Sequence, residues 1–114
     1  MNNTCIFCKI ISGDVPGDVL YKDESIIVLA DVQPKAPVHL LVLPVRHVDN
    51  LAEFTATAAP GEARDFIAAA ARFGEERSPE GFRVVINSGT LGGQTVQHLH
   101  AHVIGGRTLT WPPG

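Results

Sequence analysis

Several things are scarce in this chain. Only 6% of its 114 residues are aromatic, with one Trp, one Tyr and five Phe, and there is a single Met. Cysteine occurs twice, at Cys5 and Cys8, so no disulfide framework can staple the fold. No run of Lys or Arg forms a stripe, and the net charge is −3, so duplex nucleic acid is not an expected partner. The apolar stretches are well short of a membrane span, which excludes a membrane role. The start, Met1-Asn2-Asn3-Thr4-Cys5, has no basic region followed by an apolar core, so no signal peptide is read and a cytoplasmic location is expected. What remains, 45% hydrophobic and 18% charged, is an ordinary globular composition. The length suits one domain over 1–114 and is too small for two.

Periodicity predicts the elements. Cys5 to Ser12 reads as a short helix with Ile6, Phe7, Ile10 and Ile11 on one face, stopped by Gly13. Asp18 to Tyr21 is a short strand. Ser25 to Ala30 and His39 to Pro44 are apolar and read as buried strands, separated by a loop with two prolines, Asp31 to Pro37. A short helix forms around Leu51 to Phe54. The long helix runs from Gly61 to Gly74, with Ala63, Phe66, Ile67, Ala70 and Phe73 on its apolar face. Glu75 to Gly81 is a polar loop, Phe82 to Asn87 a strand, and Ser88 to Thr95 a glycine-rich loop before a last strand. The order gives an α+β arrangement around a mostly antiparallel sheet.

The last strand carries His98-Leu99-His100-Ala101-His102-Val103-Ile104. A period of two puts all three imidazoles on one face, about 6.6 Å apart along the strand. Imidazole is neutral or charged within reach of pH 7. Three buried packing histidines would each need a hydrogen-bond partner, so catalysis explains the alternation better. Gly89, Gly92 and Gly93 let backbone N–H groups approach an anion closely, and Asn87, Gln94 and Thr95 offer side-chain donors. Beside a bound phosphate, a neutral imidazole whose other nitrogen is fixed as N–H can attack phosphorus. The central His100 is the natural nucleophile, with His102 on the phosphate and His39 supporting the cluster. A single catalytic zinc on all three histidines is a competing reading, but the three positions span about 13 Å of strand, wide for one ion. The cysteine pair offers a better home for a structural metal. Cys5 and Cys8 need two more ligands, for which His47 and His98 are the candidates.

The histidine pattern resembles that of the histidine triad (HIT) superfamily, and the chain is most similar to its Hint branch, the histidine triad nucleotide-binding proteins. The likeness runs through Asp31 to His39, Leu43-Pro44-Val45-Arg46-His47, the loop Gly92-Gly93-Gln94-Thr95-Val96 and the tail Trp111-Pro112-Pro113-Gly114. It implies a five-stranded, mostly antiparallel sheet with one long and one short helix, in a homodimer. It also implies a purine nucleoside 5′-phosphoramidate hydrolase that passes through a nucleotidyl-histidine on His100, with His102 at the phosphate. The α-phosphate would be held by Asn87, Gly93, Gln94, Thr95 and Val96. Asp31 would bind the ribose, and Ile6, Phe7, Ile10, Leu29 and Val32 would wall the base of an AMP or GMP conjugate. Relatives with a Cys-x-x-Cys pair carry zinc, which implies zinc on Cys5, Cys8, His47 and His98. Catalysis itself requires no cofactor in that family. The alternatives are a dinucleoside polyphosphate hydrolase and a nucleotide-binding regulatory scaffold.

Overall fold

Branched apolar stretches form the middle of the structure. In a computed structural model that describes residues 4–113, five strands make one sheet: β1 (Val19–Lys22), β2 (Ile26–Ala30), β3 (Val38–Pro44), β4 (Phe82–Ile86) and β5 (Ala101–Gly105). Gly114, the end of the Trp-Pro-Pro-Gly tail, lies outside the described residues. The spatial order is β1-β2-β3-β5-β4, and every neighbouring pair is antiparallel. β3 is central and buried on both faces from His39 onward, which is why its sequence is an unbroken apolar run after the histidine. The edge strands β1 and β4 are only half buried.

Among the described residues three helices accompany the sheet, α1 (Ile6–Ser12), α2 (Leu51–Thr57) and α3 (Glu62–Arg77), so the helices are two short and one long rather than one of each. α3 outruns the expected stop at Gly74 by three residues, because Gly74 is not a C-cap. A Cβ there would lie 2.4 Å from the Phe82 ring, so this glycine lets the helix close onto β4. Phe66, Ala70, Phe73 and Gly74 are its buried stripe, whereas Ile67 is exposed. Helix α1 buries Phe7, Cys8 and Ile11; Ile6 is exposed, so the inward face is one position off the expected one.

The sheet separates two apolar clusters. On the α3 side, Ile26, Val28, Leu40, Val42, Leu99, Ala101 and Val103 pack with Phe54, Phe66 and Phe73. On the other side Ile27, Leu29, Leu41 and Leu43 pack under Cys5, Phe7, Cys8 and Ile11 of the α1 turn. α1 covers only the β2–β3 part of that side. The register continues it across β5 and β4 as His39 opposite Ile104, Leu41 opposite His102 and Val85 opposite His102, where a cleft opens.

Candidate functional site

The expected triad strand is shorter than its pattern. β5 begins at Ala101, so only His102 lies in the ladder. His98 and His100 sit on an extended approach that is held by the Leu99 N–H donating to the Val48 carbonyl at 2.8 Å, not by a neighbouring strand. The alternation survives: Leu99, Ala101 and Val103 enter the α3-side core, and the three imidazoles turn the other way. They then part company, since each faces a different set of groups.

His98 is fully buried against the cysteines. Its Nε2 is 2.9 Å from the Pro44 carbonyl, which can only accept, so the proton is on Nε2 and the Nδ1 lone pair is free. That Nδ1 lies 3.4 Å from Cys5 Sγ and 3.6 Å from Cys8 Sγ. His47 is built the same way: Nε2 is 3.0 Å from Asp49 Oδ1, and Nδ1 is 3.4 Å from Cys8 Sγ. All four ligand atoms lie within 4.8 Å of one another. In a tetrahedron with Zn–S near 2.3 Å and Zn–N near 2.05 Å the S···N edge is about 3.5 Å, so the donor set fits zinc. Each imidazole also has its outer N–H on an oxygen acceptor, the arrangement that fixes the tautomer of a metal ligand. The sequence places both sulfurs together because Cys5 caps α1 and Cys8 follows one turn later; the Cys8 N–H points at Cys5 Sγ at 3.4 Å. Burial is the main cause that holds the His98 pKa below its ordinary value. No disulfide joins the two cysteines.

His100 is buried, with its ring edge-on to Phe7 and to His102, at centroid distances of 5.1 and 5.0 Å. Its Nδ1 is 2.8 Å from the His98 carbonyl. A carbonyl only accepts, so Nδ1 carries the proton and Nε2 keeps its lone pair.

His102 reaches a cleft of about 300 Å³ lined by Asp31, Lys35, His39, Asn87, His102 and Ile104 among others. The Lys35 N–H donates to His39 Nδ1 at 3.0 Å, which leaves the His39 proton on Nε2. That N–H faces His102 Nδ1 at 2.9 Å, so His102 accepts there and carries its own proton on Nε2. Burial, followed by the neighbouring His100 and His39, pushes the His102 pKa down to about 4. Its imidazole is therefore a neutral donor at pH 7. Asp31 Oδ2 lies 3.4 Å from His39 Nε2. Asp31, His39 and His102 also bring three ligand-type atoms within 4.8 Å. This trio suits a cation poorly, because the Lys35 N–H occupies the one lone pair of His39 and its Nε2 stays protonated.

The glycine-rich loop is closed by its own bonds. The N–H groups of Gly93 and Gln94 donate to the carbonyls of Thr90 and Gly89 at 3.1 and 3.0 Å. Gly92 is required here, since a Cβ would lie 2.3 Å from the Ser88 carbonyl oxygen, and Gly93 has φ +85°. The Gln94 side chain turns inward instead of toward an anion: Oε1 accepts the Gly89 N–H, and Nε2 donates to the carbonyls of Asp49 and Val96. The N–H groups of Thr95 and Val96, like those of Thr90, Leu91 and Gly92, have no partner among the described residues, and the side chain of Asn87 lies at the cleft.

The expected base wall divides. Phe7 and Leu29 are buried in the α1-side cluster, Ile10 packs partly against it, and Ile6 and Val32 are exposed. A larger cleft, of about 770 Å³, lies away from the triad, between Arg77, Glu80, Phe82, Arg83 and Arg107, and contains none of the histidines. Sequence reasoning missed Asp49, which orients His47, although its place two residues after a candidate ligand was a usable hint. It also missed the Lys35 N–H and the Pro44 carbonyl, backbone groups that leave no mark in a sequence.

An antiparallel α+β sheet that carries a histidine relay beside a Cys₂His₂ donor set defines the class, and a family model places it. The chain belongs to the HIT family: the model described as HIT domain matches residues 12–109. A "14 kDa zinc-binding protein" of Brassica juncea is 38% identical over 122 residues, covering 96% of this chain and 98% of its own. "Adenylylsulfatase HINT1" of Arabidopsis thaliana is 37% identical, covering 96% of this chain and 76% of its own. The solved HIT family hydrolase of Clostridium thermocellum superposes with a TM-score of 0.89 at 36% identity, covering 96% of each chain. The chain thus belongs with hydrolases of the HIT type, and a zinc-binding relative matches nearly its full length. Among the described residues no helix is long and apolar enough to cross a membrane.

Proposed function

We propose that this chain hydrolyses purine nucleoside 5′-phosphoramidates through a nucleotidyl intermediate on His100. The observation that carries the reading is the 2.8 Å bond from His100 Nδ1–H to the His98 carbonyl, which keeps Nε2 unprotonated. In the first displacement His100 Nε2 bonds to phosphorus and the P–N bond breaks, its electron pair going to nitrogen. The amine leaves after gaining one proton from water at the cleft. Water then attacks phosphorus, one proton goes to solution, and the nucleoside monophosphate departs from neutral His100. His102 Nε2–H, with its tautomer set by His39, donates to a phosphoryl oxygen as charge builds there. Asn87 and the N–H groups of Thr95 and Val96 take the remaining oxygens, and Asp31 takes the ribose hydroxyls. Zinc on Cys5, Cys8, His47 and His98 is structural in this reading and takes part in no step. The protein works as a homodimer in the cytoplasm.

One observation favours a second substrate for the same displacement. His102 stays neutral down to about pH 4 and is not a ready proton donor to an amine. A leaving group that needs no proton, such as the sulfate of an adenylyl sulfate, suits this cleft, and one relative is named adenylylsulfatase. Steady-state turnover of adenosine 5′-phosphoramidate, adenylyl sulfate and a dinucleoside polyphosphate separates these readings. The phosphoramidate should be turned over fastest; a clear preference for either other substrate reassigns the leaving group. In a nucleotide-binding scaffold hydrolysis is incidental, so His100→Ala should leave the cellular role intact and loss of nucleotide binding should abolish it.

A further inference from the structure

We infer that the cleft between the end of α3 and the start of β4 is a second binding site, separate from the triad, for a small molecule that carries two or more phosphate groups. The inference goes beyond the proposed hydrolysis and does not depend on it.

The first support is charge. The chain's six arginines divide into two sets. Arg46, Arg64 and Arg72 are paired with Glu62, Asp65 and Glu76. Arg77, Arg83 and Arg107 have no carboxylate partner among the described residues, and all three line this one cleft of about 770 Å³. Glu80 is the single acid among the described lining residues, so three guanidinium groups stand against one carboxylate in a chain whose net charge is −3. The second support is that the cleft is built. Arg83 is half-buried on β4, and its Nη2 donates to the Thr110 carbonyl at 2.9 Å. Arg107 donates to the carbonyls of Thr108 and Lys35 at 3.1 and 3.2 Å. These bonds hold both arms and leave each guanidinium most of its N–H donors for a ligand. The buried Ser78 Oγ donates to the Gly81 carbonyl at 2.7 Å and accepts the Gly106 N–H at 2.9 Å, which ties the α3–β4 turn to the segment after β5. Gly105 permits that approach, since a Cβ there would lie 2.5 Å from Ser78 Oγ. A planar guanidinium fork takes phosphate oxygens in pairs, so three forks in one cleft suit more than one phosphate. The volume is that of a small-molecule site, and Pro79, Phe82 and Leu109 add apolar lining for an organic part. The triad cleft shares none of these lining residues.

The test is isothermal titration calorimetry of the whole protein with sodium tripolyphosphate, with excess AMP present to occupy the triad cleft. The expected result is one saturable tripolyphosphate site per chain that AMP does not displace and that weakens as salt rises. Inorganic phosphate, with a single group to offer, should bind about 10-fold more weakly or worse. The double variant Arg83→Gln/Arg107→Gln should weaken tripolyphosphate by about 10-fold or more, while Arg64→Gln, on the outer face of α3, should leave it within about twofold. Arg77→Gln alters an exposed side chain, should weaken binding in the same direction, and decides the matter if the double variant fails to fold. No saturable binding, binding that AMP displaces, or equal binding by Arg77→Gln and wild type overturns the inference. A homodimer that covers the cleft would bind no tripolyphosphate at concentrations where sedimentation velocity shows the dimer, and that result gives the cleft to a second copy and overturns the inference too. A protein that binds tripolyphosphate as expected but hydrolyses no nucleotide keeps this site and discards the proposed activity; hydrolysis without the second site does the reverse.

Discussion

The two faces of the sheet are made by the same strands and do opposite work. On the α3 side Ile26 and Val28 of β2, Leu40 and Val42 of β3, and Ala101 and Val103 of β5 form one apolar cluster, and Phe54, Phe66, Ala70 and Phe73 close over them. On the other side α1 packs on β2 and β3, and beyond them stand the imidazoles of His102 in β5 and of His98 and His100 before it, His100 held by the His98 carbonyl and His102 by His39. A strand read with a period of two thus places stability on one face and chemistry on the other. Leu99, Ala101 and Val103 belong to the first, and His98, His100 and His102 to the second. A site can tolerate polar, proton-sensitive groups when the opposite face supplies the folding energy, and when each buried nitrogen has a partner. Among the described residues no buried side-chain nitrogen or oxygen lacks one.

Breaking one face should leave the other in place. The largest effect is expected from His100→Ala, which should lower nucleotide hydrolysis by about 10⁴-fold or more with the thermal midpoint nearly unchanged. Steady-state kinetics beside calorimetry checks both halves. Phe66→Ala is the mirror case. It empties a fully buried ring position on the α3 side and should cost about 3–5 kcal/mol of stability, while the fraction still folded turns over at the normal rate. Urea unfolding followed by active-site titration measures this.

A smaller effect is expected within the relay. His39→Leu removes the donor to His102 Nδ1 and leaves the Lys35 N–H without its acceptor. The expected loss is about 10- to 100-fold in kcat, and His39→Gln, which restores an N–H donor, should recover part of it. Equal rates for the two variants would show that the tautomer of His102 does not matter.

The smallest effect is in pH. His102 has its folded pKa depressed to about 4 from an ordinary value of 6.5, with burial the main cause. Between these values the unfolded chain binds the proton and the folded chain does not. Stability should therefore be intact above about pH 6.5 and decline as the pH falls toward 4. A proton-detected titration of the His102 ring with its midpoint near 6.5 would contradict the assignment of a desolvated, neutral donor.

Much of this division is visible in the residues. The apolar runs of β2 and β3 and the Phe66, Ala70, Phe73 stripe of α3 signal burial strongly, because their periods are long and unbroken. The triad pattern overstates its strand because extended backbone alternates side chains whether or not a neighbour bonds to it, and His98 and His100 have no ladder partner in β5. The donor set of Cys5, Cys8, His47 and His98 was readable from residue type, although its members lie as much as 93 positions apart. The tautomers were not readable, since Lys35, His98 and Pro44 act through main-chain N–H and C=O groups common to all residue types. Gln94 misled for a related reason. Its carboxamide has donors suited to an anion, but only the fold shows that Gly89, Asp49 and Val96 already use them.

The most direct test of the open face is intact-protein mass after brief exposure to an adenosine 5′-phosphoramidate at low temperature, for wild type, His100→Ala and a His102 variant that slows the second step. One AMP added to wild type or to the His102 variant, and none to His100→Ala, is the predicted result. Undiminished turnover by His100→Ala, with no adduct on any of the three proteins, would contradict the assignment of His100 as the nucleophile.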